Sequence, residues 1–216
     1  MKERGMIFNS EMVRAILDGR KTQTRRQIKF PFKDRNLGCE LSGNELAGEL
    51  SAGNYLNSPF GKPGDRIWVR ETFQGPLFDF DQMDAYCKDS TPFEKAQFCV
   101  YKADGKPAPE FFDADDNLHC CWRPSIHMPR WASRILLEVT DVRVERLNAI
   151  SQADAIAEGA PPSHPSIDCV SQEYGFPDFS RSWFGQTWKH IYGEESWQAN
   201  PWVWVIEFKR IEGGEA

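Results

Sequence analysis

The sequence lacks the features that mark several common classes of protein. No apolar run approaches the roughly 20 residues that a membrane-spanning helix needs, and the segment after Met1 has no signal-peptide core. Neither phosphate-binding pattern, GxxxxGK(S/T) or GxGxxG, occurs between a predicted strand and a predicted helix, where it would indicate a nucleotide site. We therefore expect a cytoplasmic protein with no membrane partner and no cofactor.

The cysteines form no recognised metal-binding pattern. The chain has 6 of them, and none belongs to the CxxC pair of a zinc ribbon. Cys120 and Cys121 are adjacent and follow His119, which leaves a metal site open. Free thiols in a reducing compartment are the simpler interpretation, so we predict no bound metal.

The chain also lacks an excess of positive charge. It carries 26 Lys and Arg against 32 Asp and Glu, which gives a net charge of -6. A protein that grips a long duplex neutralises many phosphates with a basic surface. We therefore expect any contact with nucleic acid to be local, such as a nucleoside, a strand end or a short loop.

The order of the predicted elements indicates a mixed fold. Strands are predicted at 6–8, 67–73, 98–101, 134–147 and 202–211, and helices at 10–18, 152–158 and 179–191. The segments 31–64 and 160–178, rich in Gly, Ser and Pro, are predicted to be long connections. Because strands and helices do not alternate regularly, a doubly wound parallel sheet is disfavoured. A small mixed or antiparallel barrel with flanking helices fits better.

One short segment is strongly basic in this otherwise acidic chain. Five cations lie within ten residues: Arg20, Lys21, Arg25, Arg26 and Lys29. A guanidinium group offers a planar fork to phosphates and base edges, and an ammonium group offers a compact charge. The segment therefore suits an anionic or polar ligand. On residue types alone, a solvated basic turn that pairs with acidic surface is slightly favoured.

The segment Ile16–Arg26 resembles the opening motif of the ASCH family, an apolar helix followed by Gly-x-Lys-Thr-x-x-x-Arg. Gly64–Val69 is similar to that family's Gly-Asp turn before an apolar strand, and Trp202–Phe208 is similar to its terminal strand. Trp122–Arg134 looks like a block of the longer, phage- or prophage-type members. Together these matches cover about half of the chain.

The resemblance implies a fold and two activities. The fold is an α+β, PUA-like small mixed barrel, here a single domain over residues 1–216 with insertions at about 31–62, 74–130 and 160–178. Many members are presumed to bind RNA. A short bacterial branch hydrolyses the amide of acetylcytidine with a Lys, a Thr and a Glu, which fall on Lys21, Thr24 and Glu158.

Elementary chemistry sets conditions on those three residues. A threonine hydroxyl needs a base, and Lys21 can serve only if its pKa falls well below about 10.4, as burial or cationic neighbours would cause. Lys21 and Thr24 share a face in a helical coil and point to opposite faces in a straight strand. Glu158 lies at a helix end that disfavours its anion, so it is suited to donating a proton. A solvated helix-end carboxylate is an equal alternative.

Six further residues are predicted to contact the ligand: Arg20, Arg25, Arg26, Glu71, His127 and Arg130. Glu71 can pair with Lys21 or with Arg26, although a plain cross-strand ion pair is favoured. His127 and Arg130 belong to an extended, proline-bounded segment that suits the rim of a cleft.

The leading prediction is an ASCH-type protein that binds RNA or a modified nucleoside beside the Gly-Arg-Lys-Thr loop. Three alternatives stay open. The first is an amidohydrolase that acts on an acylated cytidine. The second is a ribonuclease in which Lys21 and Arg26 stabilise charge on a phosphate. The third is a non-catalytic phage accessory protein.

Overall fold

The computed structural model describes residues 1–113 and 117–211. The chain divides into two compact units, each built from several segments. Unit 1 comprises residues 1–2, 18–65 and 138–209, and unit 2 comprises residues 3–17, 66–137 and the chain from 210. No helix in these described ranges is long and apolar enough to cross a membrane.

The described residues form an α+β protein. The strands are β1 (Glu3–Ile7), β2 (Gln23–Gln27), β3 (Phe32–Lys33), β4 (Glu40–Leu41), β5 (Arg66–Arg70), β6 (Phe73–Gln74), β7 (Val100–Tyr101), β8 (Glu110–Phe112), β9 (Leu118–Cys120), β10 (Leu136–Arg146) and β11 (Trp202–Arg210). The α-helices are α1 (Ser10–Leu17), α2 (Gly43–Ser51), α3 (Met83–Lys88), α4 (Gln152–Ala157), α5 (Pro165–Glu173) and α6 (Phe179–Tyr192). Short 3-10 turns occupy several of the connections.

Five strands form one mixed sheet in the order β1-β5-β10-β11-β2. Strands β1 and β5 run parallel, with Gly5 opposite Trp68. Strands β11 and β2 run antiparallel, with Ile206 opposite Thr24. Among the described residues, 1–113 and 117–211, β1 and β2 are the edge strands of this sheet. The predicted mixed α+β class is confirmed.

Unit 1 has a hydrophobic core in which α4 and α6 pack against β11. Its buried members are Leu147, Ile150, Ala155, Ala160, Phe184, Trp188, Val203 and Val205. Phe184 and Trp188 lie one turn apart on α6, so both reach the same side of that helix. Their ring centroids are 6.1 Å apart. This packing fixes the end of α4 close to the first residues of β2.

The predicted boundaries of two helices are confirmed. Asn9 caps α1 by accepting a 2.8 Å hydrogen bond from the Met12 amide, and Gly19 follows the helix with φ at +73°. Helix α4 begins at a capping box between Ser151 and Asp154. The left-handed Gly159, with φ at +102°, ends that helix.

Two predicted connections were wrong because each contains a helix. The segment 31–64 contains β3, β4 and α2, and the segment 160–178 contains α5. Ser42 and Glu45 form a capping box that opens α2, and the sequence carries that signal. Helix α5 begins at Pro165 and buries only Ser171, so no apolar periodicity marks it.

Candidate functional site

Strand β2 and the residues before it direct alternate side chains to one side. Lys21, Gln23 and Arg25 are all buried, and both Lys21 and Arg25 contact Glu158. Because side chains alternate across an extended strand, Thr24 points to the opposite face from Gln23 and Arg25. Within β2, Thr24 and Arg25 therefore lie on opposite faces, as expected for an extended strand.

Lys21 and Glu158 form a buried ion pair. The Lys21 Nζ lies 2.7 Å from the Glu158 Oε2 and donates a second hydrogen bond, of 2.9 Å, to the backbone carbonyl of Glu158. Their side chains are 1% and 4% exposed. The Thr22 amide donates to the Ala157 carbonyl at 2.8 Å, which fixes the basic segment against the end of α4.

Burial lowers the pKa of the Lys21 ammonium group below its usual range. Glu158 opposes this shift through its charge and its hydrogen bond, whereas the charges of Arg26 and Arg25 reinforce it. A lysine with a lowered pKa gives up its proton more readily, which is the direction of shift that a base requires.

Arg25 is the second buried cation of the site. Its side chain is fully buried, and its Nη1 donates to the Glu158 Oε1 at 3.2 Å. Its Nη2 lies 2.5 Å from the Glu145 Oε1 and 3.5 Å from the Asp154 Oδ2. The guanidinium carbon also lies 5.7 Å from the centroid of Phe184. Since a guanidinium group does not deprotonate in proteins, the three carboxylates offset a permanent charge.

Arg143 extends this network toward the surface. It contacts Asp154 at 2.9 Å, Glu145 at 3.4 Å and Glu207, and its side chain is 31% exposed. Burial opposes the ionisation of Asp154, but hydrogen bonds from Ser151 and the charges of the two arginines hold its pKa below the usual range. We call Lys21, Gln23, Arg25, Arg143, Glu145, Asp154 and Glu158 the Lys21 cluster.

Two hydrogen-bond donors of the Lys21 cluster have no acceptor among the described residues. Within the described chain, Nε2 of Gln23 and Nε of Arg25 are buried without a partner. The Oε1 of Gln23 accepts from Arg143 at 3.5 Å. Native proteins pair nearly all their buried polar groups. The buried donors of the Lys21 cluster therefore outnumber the acceptors that the described residues provide for them.

Three of the predicted ligand residues, Arg20, Arg25 and Arg26, belong to unit 1 with this cluster. Arg20 is exposed, where it pairs with Asp18 at 2.9 Å and donates to the Gly159 carbonyl at 3.4 Å. Arg26 is half-buried in β2, opposite Trp204. Arg20, Arg25 and Arg26 therefore flank Lys21 within unit 1.

Glu71, His127 and Arg130 belong to unit 2. Both oxygens of the Glu71 carboxylate accept hydrogen bonds from Arg134, at 3.0 and 3.1 Å. Arg130 donates to Glu3 at 3.0 Å, and His127 is exposed.

Sequence reasoning missed Glu145 and Asp154, two of the three carboxylates that surround Arg25, although the sequence carries a signal for Glu145. Asp141, Arg143 and Glu145 alternate along the second half of β10, which places their side chains on one face of the strand. A charged row of this kind on one face of a strand indicates charged partners on the neighbouring strands.

The cysteine-histidine segment forms no metal centre in the part of the chain that is described, since no group of three or more metal-ligating side chains is found there. His119 Nε2 lies 2.7 Å from the Asp113 Oδ2, and Cys120 and Cys121 are exposed free thiols. The Lys21 cluster can bind an acceptor-rich group through its buried donors or take part in proton transfer through Lys21. No family model, curated protein or solved structure matches the chain.

Proposed function

We propose that the chain is an ASCH-type protein with a PUA-like barrel that binds RNA or a modified nucleoside beside the segment Gly19–Arg26. The observation that carries this proposal is the contact between Lys21 and Glu158, which meet at 2.7 Å although 137 positions separate them in the sequence. The resemblance requires these two residues to share a site. The mixed sheet with its flanking helices supports the same architecture.

The chemistry of the Lys21 cluster favours a ligand with several acceptors. Lys21 uses two of its three donors on Glu158, and Gln23 and Arg25 each have a buried donor that no described residue accepts. An unsatisfied buried donor costs about 1–3 kcal/mol, which a carbonyl, ring nitrogen or phosphate oxygen of a ligand would recover. Nucleosides and short RNA segments offer all three acceptors.

The basic segment offers exposed side chains next to the buried pair. The residues on both sides of Lys21, Arg20 and Thr22, are exposed, so we propose that a ligand reaches the pair along this segment. The binding of a small ligand also suits a chain whose net charge is -6, because such a ligand carries few phosphates that the protein has to neutralise.

Lys21→Met is expected to weaken the binding of cytidine or acetylcytidine by about tenfold to a hundredfold. The change removes a charged donor, and a hydrogen bond to a charged group is worth about 1.5–3 kcal/mol. Isothermal titration calorimetry measures the dissociation constants, with a thermal melt to confirm that each protein is folded. Lys33→Met is the matched control, because Lys33 is an exposed lysine of β3. Equal affinities in both variants, or a wild-type protein that binds neither nucleoside nor RNA, would contradict the proposal.

A specific observation favours an amidohydrolase as the second candidate. Burial lowers the pKa of Lys21, and its ammonium group already donates a hydrogen bond to Glu158, so passage of that proton to Glu158 would leave Lys21 as the base and Glu158 as the acid. Hydrolysis of acetylcytidine adds water across the amide and releases acetate and cytidine. Lys21 would take the proton of the attacking oxygen, and Glu158 would protonate the leaving amine.

Thr24→Val is expected to keep most of any acetylcytidine hydrolysis, whereas Lys21→Met is expected to abolish it. The reason is that Thr24 points away from the face of β2 that carries Gln23 and Arg25. Chromatography of released cytidine measures the activity. A Thr24→Val protein as inactive as Lys21→Met would assign the nucleophile to Thr24 instead. Cleavage of RNA in a parallel incubation would identify the ribonuclease alternative.

A further inference from the structure

The face of the sheet formed by β1 and β5 carries a second group of side chains suited to nucleic acid. Strand β5 buries Ile67 and Val69 almost completely, so its other residues lie on the opposite face. That face includes exposed residues of β1 and half-buried residues of β5. We call these residues the tryptophan platform: Glu3, Gly5, Ile7, Arg66, Trp68 and Arg70.

Trp68 lies flat against the backbone of β1 because its neighbour there is glycine. A methyl group added to Gly5 would stand 2.6 Å from the indole Cζ2 of Trp68 and 2.9 Å from the Cδ of Arg70. Any larger residue at Gly5 would displace both side chains. The guanidinium carbon of Arg70 lies 5.4 Å from the indole centroid, which is cation–π distance. Glycine therefore leaves room for the cation–π pair of Trp68 and Arg70, both of which are half-buried.

The platform and its edge are positively charged. Arg66 and Arg130 share one carboxylate, that of Glu3, at 3.6 and 3.0 Å. Arg70 donates to the backbone carbonyl of Ile126. Within the described residues, the Nε atoms of Arg66 and Arg70 have no partner. Three guanidinium groups against one carboxylate leave an excess of positive charge in a chain that is acidic as a whole.

We propose that this platform stacks an unpaired base of a single-stranded nucleic acid on Trp68 and Arg70, and that Arg66 and Arg70 neutralise the neighbouring phosphates. Aromatic rings and guanidinium planes both stack bases, and stacking tolerates any base because each has a flat face. Arg66 and Arg70 stand about 13 Å apart along the strand, so the contact covers a short stretch. A duplex cannot use the platform, because its bases are already stacked on one another.

Fluorescence anisotropy with labelled oligonucleotides of about six nucleotides tests the platform. The probes are oligouridylate, oligothymidylate and a short duplex. Trp68→Leu is expected to weaken single-strand binding about tenfold, as the loss of one stacked base would, whereas Trp68→Phe keeps a ring and retains most of the affinity. Arg70→Gln is expected to reduce the slope of log K against log salt by about 0.7, one phosphate contact to a single strand. Binding of oligouridylate alone, of oligothymidylate alone or of both supports the platform. The pattern shows whether its ligand is RNA, DNA or either.

Controls separate this platform from the Lys21 cluster and from loss of folding. Lys33→Gln removes one exposed positive charge elsewhere and should bind like the wild type. Thermal melts show whether the Trp68→Leu protein is folded. If that protein is unfolded, the two single variants Trp68→Phe and Arg70→Gln carry the test. Single-strand affinity unchanged in Trp68→Leu, or equal affinity for the duplex, overturns the platform. A wild type that binds nucleosides but no oligonucleotide overturns the platform and leaves the proposed function standing.

Discussion

Glu158→Ala is expected to lower the free energy of unfolding by about 3–5 kcal/mol. The side chain of Glu158 is 4% exposed, and its two oxygens hold Lys21 and Arg25. Removing the carboxylate leaves the Lys21 amine buried without a counter-charge. Arg25 keeps Glu145 and Asp154 as partners, so the main cost falls on Lys21. Urea denaturation measures the change.

The size of this loss is expected to depend on pH. Burial already lowers the pKa of Lys21 from 10.5, and loss of Glu158 lowers it further. Between the lowered pKa of the folded state and the unfolded value of 10.5, the unfolded chain binds more protons than the folded one. Stability of the variant therefore rises with pH across that window. The deficit should shrink as the pH rises from neutral toward 10.5.

Glu138→Gln is the matched control for the Glu158 variant. Glu138 also pairs with a lysine in unit 1, Lys209, at 2.9 Å, but their side chains are 34% and 63% exposed. Exposed ion pairs contribute less than about 1 kcal/mol. A Glu158→Ala protein no less stable than Glu138→Gln, or a deficit that stays constant with pH, would show that Lys21 does not depend on Glu158 for its charge.

Part of the candidate site could be predicted from the sequence. The basic segment after α1 stands out by composition, and Lys21 and Glu158 were paired through the family resemblance. Their contact depends on where α4 packs against β11, which local patterns do not contain. The partners of Arg25 were missed for the same reason, since Glu145 lies 120 positions away. Long-range pairing is set by strand register and helix packing, and one sequence does not fix either.

The fold shows which sequence signals were sufficient. Strands β10 and β11 and helix α6 were predicted because runs of apolar residues mark them, and the structure confirms them. Helix α5 was missed because it buries only Ser171, so tertiary context rather than amphipathicity defines it. Helix α2 was missed although its buried Leu46 and Leu50 are one turn apart. There the surrounding Gly, Asn and Ser obscured a readable capping box.

Arg134→Met is expected to lower the free energy of unfolding by about 3–5 kcal/mol at neutral pH. Arg134 binds both oxygens of Glu71 at 3.0 and 3.1 Å, and Glu71 is 1% exposed. The same guanidinium group contacts Asp104 at 2.7 Å and lies 3.9 Å from the ring centroid of Tyr101. Methionine keeps much of the packing but leaves the Glu71 carboxylate buried without a counter-charge.

The pH dependence of this variant should run opposite to that of Glu158→Ala. Burial raises the pKa of Glu71 above 4.5 even though Arg134 opposes the shift, and loss of Arg134 raises it further. Between 4.5 and the raised pKa, the folded state binds more protons than the unfolded chain, so stability falls as the pH rises through that window. Urea denaturation at about pH 7 and about pH 5 should therefore show a smaller deficit at the acidic value.

Glu71→Gln combined with Arg134→Met removes the buried carboxylate charge that Arg134→Met leaves without a partner, so the double variant should be more stable at neutral pH than Arg134→Met alone. A deficit that is equal at both pH values, or a double variant as unstable as the single one, would mean that Arg134 acts through Asp104 and Tyr101 rather than through the buried carboxylate.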